Sequence, residues 1–148
     1  IISIMTYMKF TTNIGNIGLS ICYDIRFPEL YQRLSEAGAE LLVIPSAFTV
    51  VTGAAHWHIL QRARAIETGC FVLSAAQHGT HVDGRQTYGH ALIVAPWGEV
   101  LADAGSCEQG FVMADIDLAA CNAAQRRHGT TQNRQKLNPV RLISEVSQ

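Results

Sequence analysis

Short apolar runs recur along the chain, each bounded by glycine, proline or polar residues. Residues 17–21 follow the turn-forming pair Gly15-Asn16 and read as a buried strand. Pro28 suits the first turn of a helix, where its missing N–H is not needed. Leu30, Leu34 and Ala37 then recur at helical spacing, and Gly38 closes the helix. Residues 41–44 predict a second buried strand, stopped by Pro45, and residues 46–55 a loop. Across positions 56–68, Trp57, Leu60, Ala63 or Arg64, and Glu67 lie three or four apart, which predicts a helix ended by Gly69. Residues 70–75 form a third apolar strand, residues 78–85 a polar loop, and residues 88–95 a further strand. Ala95-Pro96-Trp97-Gly98 has proline at the second position of a turn, so residues 100–102 should pair back as a hairpin. Residues 111–116 predict a last strand, and Asp117 caps a helix running to about Arg127. A polar, irregular tail begins at about residue 128. Strand–helix–strand units followed by a hairpin point to the α/β (α+β) class.

Composition removes several function classes. Eleven basic and twelve acidic residues leave a net charge of −1, which gives no electrostatic reason to expect nucleic acid or an anionic membrane surface as a partner. No apolar run approaches the roughly 20 residues of a membrane span. Cys22, Cys70, Cys107 and Cys121 are far apart and form no C-x-x-C pair. Residues 1–8 are apolar but lack the basic start and small-residue cleavage site of a secretory leader, so reduced thiols and a cytoplasmic location are expected. The first residue is Ile1, which suggests a piece of a longer chain.

The chemistry gathers in Gly18-Leu19-Ser20-Ile21-Cys22-Tyr23-Asp24-Ile25-Arg26-Phe27-Pro28-Glu29. A buried strand runs into Cys22, and a helix follows about five residues later. That arrangement puts Cys22 on a sharp strand-to-helix turn, the geometry by which hydrolases expose a nucleophile. Nearby helix N-terminal amides favour thiolate, and the Tyr23 N–H is placed to donate to a developing oxyanion. From the residues alone, a small buried cysteine is the alternative.

The segment Cys22-Tyr23-Asp24-Ile25-Arg26-Phe27-Pro28-Glu29 resembles the nucleophile signature of the nitrilase superfamily of carbon–nitrogen hydrolases. The likeness extends over Pro45-Ser46-Ala47-Phe48-Thr49, Thr52-Gly53-x-Ala55-His56-Trp57, Arg62-Ala63-Arg64-Ala65-Ile66-Glu67, Gly84-Arg85-Gln86-Thr87-Tyr88-Gly89-His90 and Pro96-Trp97-Gly98-Glu99-Val100-Leu101-Ala102, roughly residues 15–127 in all. It is strongest toward the branch of deaminated-glutathione amidases, with ω-amidases next. The resemblance implies a four-layer αββα sandwich, incomplete in this chain, with residues 1–148 forming the C-terminal portion of a single catalytic domain. It implies a glutamate–lysine–cysteine triad, in which the glutamate is the base, the lysine steadies the oxyanion and the cysteine forms a thioester. Only the cysteine has a counterpart here, Cys22. No acidic residue precedes it, and Lys9, the sole upstream lysine, is too close and reads as a surface residue. The fragment alone is therefore expected to be inactive. The resemblance further implies a small-molecule amide substrate, no cofactor and an even-numbered homo-oligomer.

Other residues carry open alternatives. Arg26 suits a substrate carboxylate, because its planar fork matches one bidentately, or it forms an ion pair with Asp24 or Glu29. Phe48 and Thr49 follow the second strand and read either as substrate contacts beside Cys22 and Tyr23 or as loop packing. His56 and His58, two apart on a helix, point away from each other and cannot share an ion, and no cysteine is spaced to complete a zinc set, so no metal is expected. His90 would serve a Cys-His hydrolase; the resemblance makes it structural. A non-catalytic, nitrilase-like partner is a further reading. Cys70, Cys107 and Cys121 read as packing or surface thiols, and Trp57 and Trp97 as structural anchors. Two departures from the family pattern stand out: Thr68-Gly69 replaces a commoner polar pair, and His128-Gly129-Thr130 follows the last helix.

Overall fold

The computed structural model describes residues 8–106, 110–128 and 133. Its framework is a six-stranded mixed sheet in the order β1-β2-β3-β4-β7-β8, accompanied by a two-stranded sheet, β5-β6, and three α-helices. The mixed α/β class read from the sequence is the one observed.

β1 (Met8–Thr12) and β2 (Gly15–Leu19) form an antiparallel hairpin in which Thr12 faces Gly15 across a two-residue connection. β1 was not read from the sequence. Its connection, Asn13-Ile14, lacks the Asn-Gly signal of tight hairpins, and Gly15 takes up the turn at φ +126 instead. Lys9 lies exposed on this strand. β2 runs parallel to β3 (Leu41–Val43), which runs parallel to β4 (Phe71–Ser74). Two helices make the crossovers these parallel pairs require: α1 (Pro28–Glu36) and α2 (Val50–Thr68). β7 (Leu92–Val94) and β8 (Val100–Asp103) complete the sheet as the expected antiparallel hairpin.

Alternation along the strands divides the core between two faces. Leu42, Ile44, Val72, Leu92 and Val94 pack with Leu30, Tyr31 and Leu34 of α1 and Trp57 and Ala65 of α2. Leu41 and Phe71, one residue out of phase, face Cys121 of α3 (Ala119–His128) on the opposite side. Gly18 permits the close approach of α1: a Cβ there would lie 3.2 Å from Leu34.

Four boundaries differ from the sequence reading. The stretch 46–55 is not all loop, because α2 begins at Val50, with Thr49 as its N-cap accepting from the Thr52 N–H. The buried stripe of α2 is Gly53, Trp57, Gln61, Arg64, Ala65 and Thr68, so Leu60 and Glu67 flank it. Its polar members are partnered in part: Gln61 Oε1 accepts from Ser74 Oγ at 2.7 Å and Arg64 Nε donates to the Ile25 carbonyl at 2.8 Å, while the buried Gln61 Nε2 has no partner among the described residues. Residues 78–85 are not a plain loop, since His78–Thr80 is β5 and pairs with Gln86–Tyr88, β6. Residues 88–95 are two strands rather than one, because Gly89 (φ 78) and His90 (φ 59) turn the backbone left-handed between β6 and β7. Residues 111–116 form no strand. Exposure alternates along them, with Phe111 and Met113 facing out, but no strand among the described residues pairs with them. Gly69, at φ 65, ends α2 as expected, its N–H bonding the Ala65 carbonyl. Residues 1–7, Cys107 and residues 129–130 lie outside the described residues.

Candidate active site

The carboxyl ends of the three parallel strands meet at one cavity of about 440 Å³, lined by residues 21–22, 45–47 and 75–77. Ligands in open α/β sheets bind at that end of the strands, where successive loops converge. Cys22 forms part of the wall. Its backbone sits at φ 46, a left-handed conformation that a non-glycine residue adopts only where its surroundings hold it. Three interactions do so. The Cys22 N–H donates to the Pro45 carbonyl at 2.8 Å, the Asp24 carboxylate accepts from the Ile21 N–H at 2.9 Å, and the Asp24 N–H returns to the Ile21 carbonyl at 3.0 Å. The chain then continues as a short 3-10 helix, Cys22–Arg26, before α1. The elbow read from the sequence is therefore present, made tighter by this extra helical turn.

The other walls are tied by backbone bonds. Ser46 N–H donates to Ala75 O at 2.9 Å and Gln77 N–H to Ser46 O at 3.0 Å, so β3 and β4 stay coupled up to the cavity. One layer behind Cys22, Ser20 Oγ and Tyr31 Oη lie 2.8 Å apart, and burial holds the Tyr31 hydroxyl well above the usual phenol range.

None of the remaining candidate residues lines this cavity. The Arg26 guanidinium lies over the Tyr23 ring (5.4 Å) and the Phe48 ring (5.5 Å), with Nη2 3.3 Å from His56 Nδ1. The acids read as its possible partners are engaged elsewhere: Asp24 caps Ile21, and Glu29 pairs with Arg33 at 2.6 Å. Phe48 is buried against Trp57, ring centroids 5.0 Å apart, and Thr49 caps α2. Tyr23 is exposed and meets Phe27 edge-on. Cys70 and Cys121 are buried; burial pushes the Cys70 thiol up and the Cys121 thiol to about 12.

His90 faces elsewhere. Its Nδ1 lies 2.9 Å from Asp103 Oδ1, and His58 Nε2 lies 3.0 Å from Asp103 Oδ2. Burial works against the charge of Asp103. Hydrogen bonds from His58, the Gly105 N–H and His90 outweigh it and hold the carboxyl below its ordinary value. Beside His90 is a second cavity of about 550 Å³, which His78 and His81 also line.

The family model for carbon-nitrogen hydrolases matches residues 5–126. The chain belongs to the carbon-nitrogen hydrolase family. This carbon-nitrogen hydrolase is 49% identical over 120 residues to the deaminated glutathione amidase of Synechocystis, a match covering 81% of the chain and 44% of that protein. The crystal structure of the Caenorhabditis elegans NitFhit protein superposes with a TM-score of 0.81 at 45% identity, covering 88% of the chain and 32% of that one. A mutant of the amidase from Nesterenkonia sp. AN1, showing covalent addition of the acetamide moiety of fluoroacetamide at the active site cysteine, aligns at a TM-score of 0.71 and 26% identity. That match covers 88% of the chain and 45% of the amidase. The chain thus spans less than half the length of each of these relatives, and its fold is of the nitrilase type. No helix among the described residues is long and apolar enough to cross a membrane.

In this carbon-nitrogen hydrolase, sequence reasoning located Cys22 but missed Ser46, Ala76 and Gln77 as cavity residues. The rule that sites lie at the carboxyl ends of parallel strands would have pointed to all three once residues 70–75 were read as a strand.

Proposed function

We propose that Cys22 is the nucleophile of an amidase that cleaves the carbon–nitrogen bond of a small linear amide. The observation that carries this reading is a cysteine held at φ 46 on the wall of an open cavity, at the end of a parallel strand. A strained backbone at a reactive side chain is what a strand-to-helix elbow requires. The modified active site cysteine of the Nesterenkonia amidase and the deaminated glutathione amidases among the relatives support the same chemistry. In the reaction, a base deprotonates the Cys22 thiol and the sulfur attacks the amide carbonyl. The C–N bond of the resulting tetrahedral species breaks, and ammonia leaves with a proton from the base. Water then adds to the thioester and frees the acid and the thiol. The glutamate and lysine of the triad have no counterpart upstream of Cys22 in these 148 residues, so we assign the chain the nucleophile portion of the site and background turnover by itself. A homo-oligomer in the cytoplasm is the setting that fits the family resemblance.

Alkylation tests the cysteine assignment. Iodoacetamide is expected to label Cys22 well ahead of Cys70 and Cys121, both buried and with thiols pushed up by that burial. Peptide mass spectrometry at short reaction times reads the order, and equal labelling of all three would overturn it.

We further propose that Arg26, whose guanidinium lies over the Tyr23 and Phe48 rings, recognises a carboxylate on the substrate. Arg26→Lys should raise KM for a carboxylated amide by about tenfold or more while changing that of a neutral amide little, because an ammonium cannot reproduce the bidentate fork. Equal changes for both substrates would assign Arg26 to packing.

A further inference from the structure

We infer that His58, His90 and Asp103 form a binding site for a borderline divalent cation of the zinc type, separate from the Cys22 cavity. The three residues come from different elements: His58 from α2, His90 from the turn between β6 and β7, and Asp103 from the end of β8. Their ligand atoms lie within 4.8 Å of one another, with His58 Nε2 and His90 Nδ1 at 3.0 and 2.9 Å from the two Asp103 oxygens. Ligand atoms around a tetrahedral zinc are separated by roughly 3.3 Å, given Zn–N bonds of about 2.0–2.1 Å, so small side-chain shifts suffice. Two imidazoles and one carboxylate make a donor set suited to zinc and neighbouring first-row ions, with the remaining positions open to water. All three side chains keep partial exposure, from 20 to 32%, so an ion has a way in.

The surroundings of His90 resemble the support that metal ligands need. His90 stands at φ 59, the other non-glycine residue besides Cys22 with a positive φ among the described residues. Its N–H donates to Gly105 O at 2.8 Å, its carbonyl accepts from Trp57 Nε1 at 2.7 Å, and the Tyr88 ring stacks on its imidazole at 4.3 Å. On Asp103, Oδ1 also accepts from the Gly105 N–H at 2.8 Å. The backbone bonds hold the turn that carries His90, the Tyr88 stack holds its ring, and the Gly105 N–H holds the Asp103 carboxylate before an ion arrives. On binding, His58 coordinates through Nε2 and His90 through Nδ1. Each neutral ring carries its proton on the other nitrogen, and the Asp103 carboxylate exchanges two hydrogen bonds for one bond to the ion. The product is a clamp between α2 and the β7–β8 hairpin.

The test uses the protein stripped of metal with a chelator and then titrated with Co²⁺ and with Zn²⁺. Saturation at one ion per chain is expected, with visible d–d absorption for Co²⁺ and a rise in Tm of about 5–10 °C once Zn²⁺ reaches about a hundred times Kd. His58→Gln and Asp103→Asn should each weaken binding at least 100-fold, beyond the ~10–100-fold typical of losing an outer contact. His81→Gln should leave binding unchanged. His58 is partly exposed on a helix, so its variant tests the site even where His90→Gln unfolds the turn; circular dichroism checks that it folds. No saturable binding of either ion at millimolar concentration, or binding lost with His81→Gln instead, would overturn the site and leave a hydrogen-bonded His–Asp–His latch.

Discussion

Replacing Cys22 by alanine is expected to remove amide hydrolysis from the full-length protein, with a loss in kcat on the order of 10⁴–10⁶-fold. That range follows from the removal of a nucleophile whose partners act with it as a unit. The substitution deletes one sulfur from the rim of the main core, where Cys22 is only partly buried, and leaves the Cys22 N–H to Pro45 O bond in place. Far-UV circular dichroism and the denaturation midpoint should therefore change little. Ammonia release from a deaminated-glutathione-type amide and from a neutral amide reads the effect. Undiminished turnover in a folded variant would move the nucleophile elsewhere in the molecule.

Trp57→Ala is expected to cost about 3–5 kcal/mol of stability, among the largest losses any single truncation here should produce. Trp57 is 1% exposed and packs its ring on Phe48. Its Nε1–H donates to the His90 carbonyl at 2.7 Å, a bond that spans 33 residues of sequence. The substitution opens a cavity in the main core and leaves that carbonyl without its donor. Trp57→Phe keeps most of the volume and should cost about 1–2 kcal/mol, chiefly the hydrogen bond. Urea denaturation of both variants separates the two contributions. A loss below about 1 kcal/mol for Trp57→Ala would show that the site collapses around the missing ring.

The parts that the sequence made legible are those whose signals are local. Pro28 at a helix start, the apolar run closed by Pro45, Gly69 after a helix and the Pro96-Trp97-Gly98 turn each work through backbone restrictions of a few neighbouring residues. The start of α2 escaped because its first two turns bury Gly53 rather than a large apolar side chain. That glycine lies so close to Tyr88 that a Cβ would come within 2.3 Å of it. The buried stripe of α2 carries a weak apolar signal for a related reason: Gln61 and Arg64 are polar yet buried, Gln61 Oε1 accepting from Ser74 and Arg64 Nε donating to the Ile25 carbonyl, while Gln61 Nε2 has no partner among the described residues. For the site, the elbow at Cys22 follows from its own strand and turn, while its reading as a nucleophile rests on the family resemblance. The Ser46, Ala76 and Gln77 walls depend on pairing between strands, and His58 meets Asp103 across 45 residues, a contact that no periodicity announces.

All three walls of the Cys22 cavity hang from the interior of the sheet: β2, β3 and β4 each have a neighbour on both sides, while β1 and β8 occupy the edges. Interior ladders exchange their amide protons most slowly, because they open only with the whole molecule, whereas edges fray at low cost. The backbone geometry at Cys22 should accordingly be lost on heating together with the fold, not ahead of it.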